Sequence, residues 1–195
     1  MIERYGFWGS IRLVINLVRT KLAFKEARII RFPIDIRGKK YIKISKGFTT
    51  GVGCRIEAYP QNQEKTLFIG ENFQMNDYVH ITATEKVIIG KNVLLASKIY
   101  ISDTSHGSYA GDENDSSPDS IPMERKMVSK QVIIEDNVWL GEFVSVLPGV
   151  TIGKGCIVGA NSVVAKSLPP YVIAVGSPAK AIKKYNFQSQ RWEKI

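Results

Sequence analysis

The sequence predicts an all-β fold, a parallel β-helix in which short strands stack coil upon coil. Three observations lead to this prediction. Aliphatic residues recur every six positions, small or aliphatic residues precede them by two positions, and one long polar segment interrupts the pattern. Alternation over two residues is typical of a strand with one buried face, and recurrence over six is typical of a coil of such strands.

The recurrence is clearest in the second half of the chain. From residue 134 onward, every sixth position is aliphatic: Ile134, Leu140, Val146, Ile152, Val158 and Val164. Two positions before the last five of these stand Val138, Val144, Val150, Cys156 and Ser162. Three upstream sets keep the same spacing, Ile44–Thr50–Ile56, Ile69–Met75–Ile81 and Ile89–Leu95–Ile101. Ordinary sandwich strands would be less regular, and at about 18 residues per coil, residues 40–169 hold about five coils.

Two flanking segments differ from the coils. Residues 1–39 contain a predicted amphipathic helix over 7–25, whose apolar face carries Ile11, Val14, Ile15, Val18 and Leu22. Basic residues interrupt this segment, no cleavage site follows, and no apolar run approaches the ~20 residues of a membrane span, so we expect a cytoplasmic protein. Residues 170–195 form a C-terminal extension, in which we expect a short helix near "FQSQRWEKI".

The interruption runs from about residue 103 to about residue 131. It includes "SHGSYAGDENDSSPDSIP", which is rich in Ser, Asp, Gly and Pro and therefore predicts a loop that leaves the β-helix at a corner. A loop of this length in a compact domain is usually functional or disordered. Corners are also expected at Gly141, Gly153 and Gly159, which follow aliphatic positions where a tight turn would favour glycine.

Composition narrows the function. The formal net charge of +9 indicates an anionic partner, which could be nucleic acid, a membrane surface or a phosphate-rich small molecule. The basic residues are scattered and no nucleic-acid-binding motif accompanies them, so we do not expect nucleic acid. Cys54 and Cys156 lie at apolar-pattern positions and are predicted to be small core residues. Two histidines are too few for a three-histidine zinc site, and no metal is predicted.

His106 lies where the regular pattern ends and the long loop begins. It falls between two inward-facing positions, so its side chain should point outward. A solvated surface histidine is one interpretation. The other is a general base, because an imidazole with a pKa near ~6.5 can accept a proton from a hydroxyl at neutral pH. His80 has the same outward position without an insertion after it, and Trp139 also points outward, between Val138 and Leu140.

The ordered segments "NVWLG", "LPGVTIG", "VGANSVV" and "VGSPAKAIKKY" resemble the left-handed β-helix acyltransferases, which include maltose, galactoside and serine acetyltransferases. Over nearly its whole length, including "RIIRFP" and "NDYVHI", the chain is most similar to the O-acetyltransferases of lipopolysaccharide O-antigen biosynthesis. The resemblance implies a left-handed coil, which the general right-handed preference of β-crossovers would not predict. It also implies acetyl-CoA as donor and direct attack by the acceptor, without an acyl-enzyme.

The same resemblance assigns roles to residues. His106 matches the family's general base, and its orienting partner is open between Asp103 and Glu142. Asn76 matches an asparagine that helps to hold the acceptor sugar, although a corner residue with left-handed φ is an equal alternative. The residues implied in acceptor binding are Asn76, Asp77, His80, Asp103 and Trp139. The chain departs from related enzymes at "ITATE", where they carry an acidic residue.

Donor binding is implied along the coils, at a cleft between two subunits of a homotrimer. Backbone amides near Gly141 are candidate donors to the negative charge that develops on the reacting carbonyl. Lysines late in the chain, Lys184 among them, would face the 3′-phosphoadenosine, although each alone could be merely solvated. The residues implied in CoA binding are Gly141, Glu142, Gly159, Ala160, Ala165, Lys166, Lys180 and Lys183.

The sequence therefore predicts an acetyl-CoA-dependent O-acetyltransferase acting on a sugar of a bacterial surface polysaccharide. One alternative keeps the chemistry and changes the acceptor to a small free sugar, amino acid or antibiotic. Another is a non-catalytic β-helix used as a binding module. The N-terminal helix either packs its apolar face on the β-helix, which we expect, or contacts the inner membrane through its basic residues. Those residues are Arg4, Arg12, Arg19, Lys21, Lys25 and Arg28.

Overall fold

The computed structural model describes residues 2–195, which form one α-helix, Ile2–Ala23, two short 3₁₀ helices, Lys39–Tyr41 and Pro122–Glu124, and 21 short strands. The first ten are β1 (Ile34–Arg37), β2 (Ile42–Ile44), β3 (Thr49–Thr50), β4 (Cys54–Ala58), β5 (Leu67–Ile69), β6 (Gln74–Met75), β7 (His80–Ala83), β8 (Val87–Ile89), β9 (Leu94–Leu95) and β10 (Tyr100–Ser102). The others are β11 (Thr104–His106), β12 (Met127–Ser129), β13 (Val132–Ile134), β14 (Trp139–Leu140), β15 (Ser145–Val146), β16 (Thr151–Ile152), β17 (Ile157–Val158), β18 (Val163–Val164), β19 (Val172–Val175), β20 (Lys180–Asn186) and β21 (Arg191–Lys194).

The strands stack in three sheets that form the faces of a left-handed parallel β-helix, as predicted. Sheet 1 is β1-β4-β7-β10-β15-β18, sheet 2 is β2-β5-β8-β13-β16, and sheet 3 is β3-β6-β9-β14-β17-β19-β20-β21. Within each coil the chain passes from sheet 1 to sheet 2 and then to sheet 3. Up to β19, the strands of these three sheets pair in parallel with their counterparts in neighbouring coils; β11 and β12 belong to none of the three sheets. Parallel pairing therefore runs from residue 34 to residue 175.

The interior confirms the six-residue pattern. All six aliphatic positions from Ile134 to Val164, and the five positions two residues before them, are at most 1% exposed. The upstream sets are buried as well, apart from the partly exposed Ile44. Cys54 and Cys156 are free thiols inside this core, as predicted. Burial raises the pKa of both thiols, which keeps them protonated and unreactive.

The corners differ from the prediction. Gly141, Gly153 and Gly159 are not the residues with left-handed backbone; that conformation falls at positions such as Asn137 and Phe143, with φ of 59° and 58°. Glycine is needed for a different reason, since a Cβ on Gly153 would lie 2.4 Å from a backbone nitrogen of the next coil. The glycines thus permit the close approach of successive coils, while asparagine and other residues make the turns.

The N-terminal helix is present but packs in the opposite sense to our expectation. Its buried side chains are the small polar Ser10, Asn16 and Thr20. The Thr20 hydroxyl accepts a hydrogen bond from the Ile30 amide at 2.8 Å, and the Asn16 side-chain oxygen accepts one from the Phe32 amide at 3.4 Å. These bonds tie the helix to the chain that leads into the first coil, and they explain why its polar face is turned inward.

The apolar face that we expected to pack on the β-helix is exposed, so that prediction is wrong. The exposed side chains include Ile11, Val14, Ile15, Val18 and Leu22. The helix is also broken near its start, where Gly6 has φ 66° and ψ 178°. No helix within residues 2–195 has the length and hydropathy needed to span a membrane.

The predicted loop is a two-stranded projection, which we call the arm (residues 104–129). β11 and β12 pair antiparallel, so that the arm leaves the corner after β10 and returns to it before β13. Arg125 holds the tip together, donating to the Ser120 carbonyl and the Tyr109 hydroxyl, both at 2.8 Å. The polar composition of the segment reflects these turns and not a lack of structure.

The predicted C-terminal helix is wrong. β20 and β21 form an antiparallel hairpin that extends sheet 3 from β19. The hairpin is favoured by edge-to-face contacts of Tyr185 with Phe187 and Trp192, at centroid distances of 5.0 and 5.2 Å. The Asn186 side chain accepts hydrogen bonds from the amides of Gln188 and Ser189 and so fixes the turn.

Candidate functional site

The imidazole of His106 stands at the root of the arm. It is exposed, which confirms its outward orientation, and it lies on β11 directly opposite Met127. Its ring nitrogens make no hydrogen bond to any residue in the range 2–195, whereas the backbone carbonyl of His106 accepts one from Tyr109. Because neither ring nitrogen is engaged, this imidazole is free to take a proton from a bound hydroxyl.

The arm separates two clefts. One, of about 500 Å³, lies between the arm strand around Met127, the corner at Thr84 and Glu85, and the loop at Gln61 and Asn62. Directly opposed residues on an antiparallel pair share a face, so His106 projects on the same side as Met127 and this cleft. The cleft offers carboxyl, amide and hydroxyl groups, the polar groups that bind sugar hydroxyls.

The second cleft lies on the other side of the arm and has a volume of about 410 Å³. It is lined by Ser105 and by the stacked corner residues Leu147, Pro148 and Ala165. Ala165, predicted to contact CoA, therefore lies close to the root of the arm. Lys166 follows it at the same corner and is exposed.

Asp103 does not have the role expected of it. Its side chain is buried, and its carboxylate accepts hydrogen bonds from the amides of Thr84, Glu85 and Lys86 at 2.7–3.0 Å. Burial raises the pKa of Asp103, an effect that these three donors oppose. Asp103 is therefore neither an acceptor ligand nor the partner of His106; it fixes the corner from which the arm emerges.

Glu142, the other expected partner of His106, lies at a different edge of the three-sided β-helix. It follows β14 at a corner between sheet 3 and sheet 1, whereas the arm leaves a corner between sheet 1 and sheet 2. Within residues 2–195, neither Asp103 nor Glu142 hydrogen-bonds to His106. Neither Asp103 nor Glu142 of the same chain is therefore the partner that orients the His106 ring.

Many of the predicted site residues lie on two edges of the three-sided β-helix. The arm edge, between sheets 1 and 2, carries His106, Ala165 and Lys166. The glycine edge, between sheets 3 and 1, carries three stacked pairs, Asn76–Asp77, Gly141–Glu142 and Gly159–Ala160. Sheet 1 lies between the two edges. A single chain therefore brings Ala165 and Lys166 near His106 but places the other predicted donor residues away from it.

The outer face of sheet 3 adjoins the glycine edge and carries Trp139, which is 48% exposed. Trp139 lies in one cross-strand row with Ile157, Ile173 and Lys183. Three strand spacings separate Trp139 from Lys183, roughly 14 Å. Lys180 pairs with Val175 nearer the glycine edge. This face could hold a long ligand that has an apolar arm and a phosphorylated end, as coenzyme A has.

Four observations bear on the roles predicted for residues of the glycine edge. The Gly141 amide donates to the Val158 carbonyl at 2.8 Å, so it is not available to a reacting carbonyl. The Asp77 carboxylate accepts a hydrogen bond from the Val52 amide at 2.8 Å. The Asn76 side chain makes no hydrogen bond within the described part of the chain, and the left-handed φ falls at Tyr78, 57°. The interpretation of Asn76 as a left-handed corner residue is therefore wrong.

Sequence reasoning missed a polar cluster on the outer face of sheet 1, centred on Glu57. The buried Glu57 carboxylate accepts from Arg55 at 2.6 Å, Tyr59 at 2.8 Å, Arg37 at 3.2 Å and His80 at 2.8 Å. Burial by itself would raise the pKa of Glu57, but the bonds from His80 and Arg55 lower it to about 2. The signal lay in the outward, alternating charges of "DIR" and "RIE" on neighbouring strands.

The cluster changes the interpretation of His80. Its Nε2 is held by Glu57 and lies 3.0 Å from the Thr82 hydroxyl, while Tyr100 packs edge-on against the ring. His80 thus has bonded partners that His106 lacks. Every ion pair within residues 2–195 lies in this one cluster, in a chain with 27 basic and 18 acidic residues, which marks it as a structural element of the sheet 1 surface.

Comparison with known proteins identifies the family. Residues 131–166 match the family described as bacterial transferase hexapeptide (six repeats). Over 194 residues, 100% of this chain and 97% of the relative, the sequence is 46% identical to an Escherichia coli (strain K12) protein that bears the name lipopolysaccharide biosynthesis O-acetyl transferase WbbJ. The chain belongs to the hexapeptide-repeat transferase family.

Solved structures agree with this assignment. A galactoside acetyltransferase in complex with coenzyme A is 32% identical, with a TM-score of 0.55, over 76% of this chain and 72% of that one. A mutant of the Bacillus cereus N-acyltransferase AntD, in complex with coenzyme A and a dTDP-linked amino sugar, has a TM-score of 0.69 over 88% of this chain and 90% of that one. At 20% identity, the second comparison shows the shared fold alone.

Proposed function

We propose that this protein is an acetyl-CoA-dependent O-acetyltransferase that acetylates a sugar hydroxyl during synthesis of a bacterial surface polysaccharide. The observation that carries the proposal is the exposed, unengaged imidazole of His106 at the root of the arm, which has a cleft on each of its two sides. The name of the 46% identical relative and the coenzyme A in the galactoside acetyltransferase structure support the donor and the reaction class.

In the proposed mechanism, His106 acts as general base. The acceptor sugar binds on the Met127 side of the arm, where Gln61, Asn62 and Glu85 provide hydrogen bonds to its hydroxyl groups. A ring nitrogen of His106 takes the proton from the hydroxyl as that oxygen attacks the thioester carbonyl carbon. The imidazolium would then return the proton to the CoA sulfur as the C–S bond breaks, so that the acetyl ester and free CoA thiol are the products. Acetyl-CoA, when bound, supplies the activated thioester. Removal of the proton in the transition state by a positioned histidine contributes roughly 10²–10⁴ in rate.

The donor is assigned to the glycine edge and the outer face of sheet 3. Trp139 would lie beside the reacting groups, with Gly159 and Ala160 beneath the pantetheine arm. Lys180 and Lys183, farther along the same face, would attract the phosphates as point charges. Lys166 lies on the arm edge instead and would reach a donor only from a different chain.

We further propose a homotrimer in which the arm edge of one chain faces the glycine edge of its neighbour. This arrangement is supported by the separation of the predicted residues onto two edges, since each chain alone carries two incomplete halves. Mixed trimers provide the test. His106→Ala and Trp139→Ala chains, each weakly active, should regain activity when they are unfolded together and reassembled. If mixing restores nothing, the shared site is wrong.

The same proposal places the enzyme in the cytoplasm with peripheral contact to the inner membrane, where surface-polysaccharide precursors are assembled. A small free acceptor remains the alternative substrate. A panel containing free sugars, amino acids, nucleotide sugars and lipid-linked oligosaccharides separates the two, because the proposed enzyme should prefer a polysaccharide precursor. A small compound as the best acceptor would favour the alternative.

The primary test follows release of the CoA thiol with that panel. His106→Ala should lower kcat/KM about 10²–10⁴-fold while the Kd for CoA is unchanged. His80→Gln is the matched control, since it keeps a hydrogen-bonding group beside Glu57 and should change kcat/KM less than about tenfold. An equally fast His106→Ala protein would refute the mechanism. Absence of CoA binding and of turnover in the wild type would favour the non-catalytic module.

A further inference from the structure

The N-terminal helix carries an outward apolar stripe. At about 100° per residue, Phe7, Ile11, Val14, Val18 and Leu22 fall within an arc of roughly 100° on the segment after Gly6. All of them are exposed. The stripe is continuous for about four turns, and its upper part forms a shallow groove between Phe7 and Ile15.

The stripe is not needed to hold the helix in place. Asn16 and Thr20, on the opposite side, make the hydrogen bonds that attach the helix to Ile30 and Phe32. In most surface helices the apolar face packs inward and the polar face is solvated. Here the face that attaches the helix to the chain is polar, and the exposed face is apolar. The stripe is therefore available to contact a surface outside this chain.

The charges beside the stripe indicate the nature of that surface. Arg12 and Arg19 lie along one flank and Lys21 along the other, and all three are exposed. The Arg19 guanidinium lies over the Phe32 ring and the Lys21 ammonium donates to the Ala27 carbonyl at 2.9 Å.

Glu3 is the one acidic residue of the helix. A second copy of the chain would bring like charges together, which is unfavourable across an interface. An anionic lipid surface satisfies both features, because basic side chains reach the headgroups while apolar ones enter the boundary with the acyl chains.

We propose that the helix lies flat on an anionic bilayer, with the stripe from Phe7 to Leu22 inserted and Arg12, Arg19 and Lys21 at headgroup level. The inference rests on the location assigned under the proposed function and not on acetyl transfer. Lipid binding and catalysis are measured separately, so either can fail without the other.

Vesicle flotation tests the proposal with the full-length protein. The probes are vesicles of equal parts phosphatidylglycerol and phosphatidylcholine, and vesicles of phosphatidylcholine alone. The wild type should float with the first, at least about tenfold less with the second, and be released by high salt. Val18→Glu with Leu22→Glu should reduce the bound fraction at least about tenfold.

The chain offers a closely matched control. Val18 and Leu22 are 56% and 80% exposed, and Ile121 and Met123 at the tip of the arm are 58% and 82% exposed. Ile121→Glu with Met123→Glu makes the same charge change at equal exposure and should float like the wild type. Arg12→Gln with Arg19→Gln keeps the stripe and should weaken binding to the anionic vesicles alone, even if the glutamate variant folds poorly.

Three results would overturn the proposal. The wild type could stay unbound with both kinds of vesicle, or the stripe variant could float as well as the wild type. The third result comes from sedimentation without lipid, which measures the mass of the protein assembly. If Val18→Glu with Leu22→Glu has a lower mass than the wild type, and the wild type binds no vesicle, a second copy of the chain covers the stripe.

Discussion

The Nε2 atom of His80 lies 2.8 Å from Oε2 of Glu57, on the outer face of sheet 1. The remaining carboxylate oxygen, Oε1, is occupied by Arg37, Arg55 and Tyr59. A carboxylate that sits outside the β-helix core is thereby almost wholly removed from solvent and fully paired. His80 of this chain thus supports structure, and the proposed catalytic role belongs to His106.

The first prediction concerns pH. The pKa of Glu57 is lowered from 4.5 to about 2, so its contribution to stability is fully present above pH 4.5 and is lost as the pH falls from 4.5 towards 2. That contribution is about 3 kcal/mol. The thermal unfolding temperature of the wild type should therefore fall more steeply between about pH 4.5 and pH 2 than that of Glu57→Gln. Parallel pH profiles for the two proteins would contradict this assignment.

Asp103→Ala should destabilise the corner below the arm. The half-buried Thr84 and the exposed Glu85 and Lys86 lose the acceptor of their backbone amides, and we expect a loss of about 1–3 kcal/mol because water can replace part of that acceptor. Asp115→Ala is the control, because Asp115 accepts from the amides of Ala110 and Gly111 at the exposed tip, where water can replace it. Denaturant unfolding of both variants makes the comparison, and equal losses would count against the role given to Asp103.

Arg125→Lys should loosen the arm without unfolding the β-helix. The guanidinium donates to Ser120 and Tyr109 at the same time, and a lysine ammonium cannot reproduce that planar set of bonds. We expect faster hydrogen exchange across residues 107–126 and a kcat reduced roughly tenfold, with an unfolding temperature near that of the wild type. Unchanged exchange in the arm would show that Arg125 does not organise it.

Gly153→Ala should cost more stability than Gly159→Ala. A Cβ at residue 153 would lie 2.4 Å from the backbone nitrogen of Pro170, which cannot move without shifting a coil. A Cβ at residue 159 would instead meet a Val175 methyl group at 2.7 Å, and that side chain can rotate. Thermal unfolding should rank the two variants, with about 1–3 kcal/mol for Gly153→Ala from overpacking. The reverse order would show that coil spacing does not set the need for glycine.

The coils were predictable because burial alone determines their inward positions. A six-residue recurrence places Ile134, Leu140 and Val146 in the core whatever the turns between them do. The turns were not predictable in the same way. Whether Gly141 or Phe143 takes the left-handed conformation depends on how closely the next coil passes, which the sequence of one coil does not contain.

The predictions for the N-terminal and C-terminal segments were wrong for a related reason. The apolar face of the N-terminal helix was expected to pack inward, but two specific hydrogen bonds to Asn16 and Thr20 decided its orientation. At the C terminus, contacts of Phe187 and Trp192 with Tyr185 outweighed local helix preference. In both segments a few specific contacts outweigh the periodicity.

The candidate site was predicted in part. The outward positions of His106 and Trp139 follow from the alternation of the strands. The role of Asp103 does not, because a carboxylate three residues before a histidine gives no sign that its partners will be the amides of residues 84–86 in the preceding coil.

The arm has one more consequence. β10 stacks on β15, and β8 stacks on β13, as if residues 104–129 were absent. The insertion is thus added to a finished scaffold without disturbing the alignment of the coils. The proposed acceptor pocket can therefore be altered by changes confined to this one peripheral segment, while the pairing of the coils stays intact.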